Sequence, residues 1–145
     1  MKKIFLIVAV IVIVFGGWLI WRNRTFSNSK PSTVLESLER KFQESKTDSQ
    51  NNIEVVVTPV ELSIGKPAIF AVSFTTHEGN LVFDLAETSV LEIDGKTYKA
   101  ESWDGGSEGH HLSGNLVFPR LENIPVKAVL KMENITGANR TFTWE

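Results

Sequence analysis

Apolar and polar positions change their period twice along this chain, and each change marks a new element. From Ile4 to Trp21 no charged residue interrupts a run of 18, with Lys2 and Lys3 before it and Arg22 and Arg24 after it. A helix of about 20 apolar residues, within a range of about 17 to 25, crosses a bilayer. The run therefore predicts a transmembrane helix over residues 1–22, with Trp18 and Trp21 at headgroup level. An uncleaved anchor fits better than a signal peptide. The run exceeds the about 7 to 15 residues of a signal h-region, and no small-x-small site precedes the arginines. The basic tail at Lys2 and Lys3 predicts a cytoplasmic N-terminus and an extracytoplasmic remainder.

Residues 23–52 read as a polar linker holding one short helix near 33–42. Thr33 and Glu36 have capping-box spacing, and Val34, Leu35, Leu38 and Phe42 fall on one helical face. Lys46 to Asn52 has no apolar residue and reads as flexible linker. Beyond Asn52 the period becomes two. Ile53–Thr58 is valine-rich and stops at Pro59; Phe70, Val72, Phe74 and Thr76 share the inward face of a strand. Leu81, Phe83 and Leu85 share a face of the next run. Asp94-Gly95 between alternating runs predicts a two-residue hairpin pairing Leu91 with Tyr98 and Glu92 with Thr97. Leu116 and Phe118, then Val126 to Met132, then Phe142 and Trp144 complete the set. Seven or eight short strands with no helical stretch among them predict an all-β, immunoglobulin-like antiparallel β-sandwich over residues 53–145.

Charge and cysteine content narrow the function. A net charge of −2 and a pI near 5.9, with no basic stripe, argue against nucleic acid as a partner. The absence of cysteine removes disulfides, thiolate metal sites, cysteine nucleophiles and a lipid anchor on cysteine. A blue-copper centre goes with them, since it needs a thiolate.

What chemistry remains is gathered between Trp103 and Pro119. Gly105, Gly106, Gly109 and Gly114 let the backbone adopt a tightly shaped loop, which Trp103 opens. His110 and His111 follow at a strand mouth, and His77 lies at the end of another strand. Imidazole and carboxylate suit zinc or copper, so His77, His110 and Asp84 form a candidate metal set. Successive strand residues point to opposite faces. Parity with Leu112, Leu116 and Phe118 turns His110 inward and His111 outward, which makes His111 the weaker ligand. Alternatively, His110 hydrogen-bonds a carboxylate or carbonyl and locks the glycine loop, a role requiring no cofactor. No nucleophile motif accompanies the histidines, so no enzyme is expected.

Thr76-His77, Asp84-Leu85, Asp94-Gly95 with Tyr98, Trp103-Asp104-Gly105 and Gly109-His110-His111 with Gly114, Leu116, Phe118 and Pro119 form a composite signature. In these residues the chain resembles an uncharacterised family of bacterial and archaeal membrane-anchored proteins, over about Ile53 to Glu145. The resemblance implies an N-terminal span, a variable linker and one small β domain. Thr75 stands where that family has an aspartate before its first histidine, and Ser107-Glu108 alters the glycine approach to the histidine pair. The expected function is a membrane-anchored extracytoplasmic binding or accessory module that takes a transition metal through its histidines. The alternative is a non-catalytic protein-interaction or envelope-structural domain, with a protein partner in the cell envelope.

Overall fold

The computed structural model describes residues 42–145. The expected membrane span and, apart from Phe42, the expected helix near 33–42 lie outside the described residues. Among the described residues no helix is long and apolar enough to cross a membrane.

The architecture is mostly antiparallel β, built from short-range alternation that two-residue turns fold back on itself. A five-stranded sheet takes the order β1-β2-β3-β9-β7, from strands Lys46–Gln50 (β1), Ile53–Glu61 (β2), Pro67–Thr76 (β3), His111–Arg120 (β9) and Ser102–Trp103 (β7). A four-stranded sheet takes the order β11-β10-β5-β6, from Ala138–Trp144 (β11), Ala128–Ile135 (β10), Ser89–Ile93 (β5) and Lys96–Lys99 (β6). Leu81–Val82 (β4) and Glu108–Gly109 (β8) form a two-stranded ribbon. Among the described residues eleven strands thus replace the seven or eight expected; the two-residue strands β7 and β8 are too short to show a period, and β1 has no apolar residue to show one.

Alternation worked where strands are long. Phe70, Val72, Phe74 and Thr76 are buried, as the aromatic face of β3 required. The Asp94-Gly95 turn has φ of 48° and 85°, and it pairs Leu91 with Tyr98 and Glu92 with Thr97 as expected. The Asp94 carboxylate also accepts the N–H groups of Val126 and Lys127, tying this turn to the approach of β10. One core joins both large sheets: Phe70 of the first lies 5.4 Å from Trp144 of the second, and 5.9 Å edge-on from Phe118.

Three departures have local causes. Lys46–Gln50, expected as flexible linker, is strand β1, paired with Val57 through Ile53 of β2. The turn is Asn51-Asn52, at φ of 51° and 59°, and asparagine tolerates that left-handed region better than most residues. Leu81 to Leu85 does not form one strand; β4 ends at Val82, and Leu85–Thr88 is a single helical turn (α1) capped by Asp84. Val126 lies outside β10, which starts at Ala128, and is exposed rather than inward.

Candidate functional site

Two glycines and an aspartate shape the loop between β7 and β9. Asp104 N–H donates to Asn115 O at 3.3 Å, extending the β7–β9 ladder by one residue. Its carboxylate accepts from the Asn115 backbone N–H and, at 3.3 Å, from the Asn115 side-chain amide. Those donors, the backbone N–H first, hold the Asp104 carboxyl below its ordinary pKa. Close approach explains Gly114: a Cβ there would lie 2.3 Å from Asp104 Oδ1 and 2.4 Å from Gly105 N. At Gly105 a Cβ would run into the Trp103 ring at 2.0 Å. The indole therefore lies flat over the loop, donates Nε1–H to Gly106 O at 2.6 Å, and meets Phe74 edge-on at 6.3 Å. Gly106, at φ 82°, gives the carbonyl the orientation this bond needs. Phe83 N–H donates to Ser107 O, and Asn80 donates to Glu108, so the far side of the loop is pinned as well.

The histidines sit at the same end of the five-stranded sheet, but on its surface. His77 follows β3, His110 precedes β9 and His111 opens β9 opposite Thr75; all three are exposed. The inward His110 expected from parity is thus corrected. Gly109, at φ 149°, belongs to β8 and pairs with Leu81, whereas His111 pairs with β3, so the chain changes partner across His110 and the alternation is broken there. His110 contributes its carbonyl, which accepts Thr76 N–H at 3.0 Å. His111 Nδ1 lies 3.4 Å from Thr75 Oγ1. Neither the His77 nor the His110 ring makes a hydrogen bond or ion pair among the described residues.

Asp84 is employed elsewhere. Its carboxylate accepts the Ala86 N–H at 2.9 Å as the N-cap of α1. Among the described residues no group of three or more His, Asp or Glu is placed to hold a metal ion. The structure brings the backbones of His77, His110 and His111 to one sheet end and leaves Asp84 out of the arrangement.

Next to His77 is a shallow recess of about 600 Å³, lined among others by Gln50, Asn51, Asn52, Glu54 and Glu78. Asn52 donates to Glu78 Oε2 at 3.1 Å across it, and Thr76 Oγ1 fixes the Glu78 backbone through bonds of 2.7 and 3.2 Å. The loop residue that sequence reasoning missed is Asn115, and with it the part Asp104, named there only within the signature, plays in fixing the loop; the Trp-Asp-Gly-Gly run facing Gly114 is the signal that could have found both. Asn51 and Asn52 were missed too, and adjacent asparagines are themselves a turn signal. Compared with family models, with curated proteins and with solved structures, the chain finds no match, so a functional reading rests on this geometry.

Proposed function

We propose that the chain is a single-pass membrane protein that displays an immunoglobulin-like β-sandwich on the extracytoplasmic side and serves as a non-catalytic interaction module for a protein partner in the cell envelope. The uninterrupted apolar run at Ile4–Trp21 supports the anchor. Two antiparallel sheets of five and four strands, sharing one core and exchanging strands three times along the chain, support the sandwich. One observation carries the interaction reading. The Asn51-Asn52 turn, the pinned glycine loop, three exposed imidazoles and a polar recess all gather at one end of a rigid sheet, as in binding loops held by a scaffold. Asp84 caps a helix and the imidazoles lie open to solvent, which favours this over the metal reading.

The absence of cysteine makes the test direct. With Glu78→Cys as the sole thiol, a membrane-impermeant maleimide labels intact cells; labelling only after permeabilisation overturns the location. A photo-crosslinker placed at residue 78 yields a discrete protein adduct in intact cells, and one at Glu92, on the outer face of the four-stranded sheet, does not. No adduct, or equal adducts, overturns the interaction. Zinc or copper leaves the unfolding midpoint unchanged; a shift abolished by His77→Ala with His110→Ala returns the domain to the metal reading.

A further inference from the structure

At the opposite end of the sheet from the histidines, apolar side chains crowd the surface around the chain's entry into the domain. A groove of about 410 Å³ is lined among others by Phe42, Pro59, Val60, Ile64, Ile124 and Pro125. Of the five exposed large hydrophobic residues among the described ones, three line it: Val60 at 58%, Ile64 at 54% and Ile124 at 67%. A fourth, Val126, follows Pro125 directly. Clustered apolar exposure of this kind on a small domain marks a surface that something covers. Its wall is built to keep its shape. Gly65 N–H donates to Leu121 O at 2.8 Å, Leu121 N–H to Lys66 O at 3.0 Å, and Arg120 to Gly65 O at 2.7 Å.

We infer that the occupant is the chain's own segment Thr33–Phe42, its apolar face of Val34, Leu35 and Leu38 seated in this groove. Phe42 supplies the reason. It is the last member of that sequence stripe, it is buried, and it already lines the groove. On a helix continuing back from Phe42, Leu38 lies one turn away, about 6 Å along the axis, on the same face. The polar residues Glu36, Glu39 and Arg40 then face outward. A segment tethered four residues from its site meets it at an effective concentration in the millimolar range, well ahead of a second copy. A short helix that is marginal alone gains its stability from such packing.

The seating is independent of the anchor reading and is tested separately from it.

The experiment uses the full cysteine-free chain, once in membranes and once in lipid-free detergent. Leu38→Cys paired with Ile64→Cys forms an intramolecular disulfide on mild oxidation, and Leu38→Cys paired with the exposed Val82→Cys at the far end does not. A probe independent of disulfide geometry is maleimide labelling of Ile64→Cys alone, which Leu38→Asp accelerates about tenfold. Disulfide-linked dimers assign the groove to a second copy and overturn the proposal. So does labelling that Leu38→Asp leaves unchanged, or that slows only when lipid is present.

Discussion

The guanidinium of Arg140 in β11 is buried against the carboxylate of Asp48 in β1, residues 92 apart in sequence. Nη2 donates to Gln50 O at 3.0 Å in the same strand. These bonds join an edge strand of one sheet to an edge strand of the other, and Trp144 adds a third tie by donating Nε1–H to Glu44 O at 2.7 Å. Removing one partner of a buried pair strands the other's charge away from water. Arg140 is fully buried but the Asp48 side chain is 27% exposed, so Asp48→Ala destabilises the domain by about 1 to 3 kcal/mol. Adding Arg140→Met to it recovers most of the loss, because a long apolar side chain fills the same channel without a charge to satisfy. Urea unfolding of the two variants measures both. An Asp48→Ala chain as stable as the parent removes the pair from any structural role.

The loop is held by Asp104, Trp103 and two glycines, and the imidazoles contribute little to it. Gly114→Ala places a methyl against the Gly105 backbone at 2.4 to 2.5 Å, and overpacking against backbone costs about 1 to 3 kcal/mol. His110→Ala removes an exposed ring with no hydrogen bond and stays within about 0.5 kcal/mol of the parent. Thermal unfolding of the two side by side decides between them. The reverse ranking would restore the imidazole as the lock.

Side-chain alternation is a local signal, and its reach follows strand length. Phe70 to Thr76 and the Leu91–Tyr98 register were legible because each strand carries enough residues to show the period and Asp94-Gly95 names its own turn. Lys46–Gln50 was not, since it has no apolar residue, and the side chain that ties it to the second sheet, Arg140, lies at the other end of the chain. Parity put His110 inside because it assumes one continuous strand, and the switch of pairing from β4 to β3 at Gly109 and His110 is a tertiary event. Asp84 was read as a ligand because a carboxylate before Leu-Ala-Glu-Thr serves equally as a helix cap in sequence; only the Ala86 N–H decides.

The Thr136-Gly137 turn joins β10 to β11 with Thr136 at φ 49° and Gly137 at φ 80°. A β-branched residue is ill suited to that left-handed conformation, which costs about 1 to 2 kcal/mol for an ordinary L residue. Asparagine is the preferred first residue of such a turn. Thr136→Asn therefore raises stability by about 1 kcal/mol, with the Thr136 carbonyl still available to the Asn51 side chain that donates to it. The midpoint of denaturation reports the gain, and a lower midpoint would mean that the Thr136 hydroxyl bond to Ile135 O outweighs the backbone relief.

Glu61 gives the domain an acid-sensitive contact beside the apolar groove. Lys66 Nζ donates to it at 2.8 Å and Ser63 N–H at 3.0 Å, and these bonds, the lysine first, lower its pKa from 4.5 to about 2. A carboxyl depressed on folding binds its proton more readily in the unfolded chain. Its stabilising contribution is complete above pH 4.5 and is lost as the pH falls towards 2. Glu61→Gln accordingly lowers the unfolding midpoint at neutral pH, and the gap from the parent closes between pH 4.5 and 2. Because Lys66 is largely exposed, the gap is modest and narrows in salt. Midpoints measured across that range check the sign: a gap that widened on acidification would mean that the unprotonated carboxylate contributes nothing to the folded state.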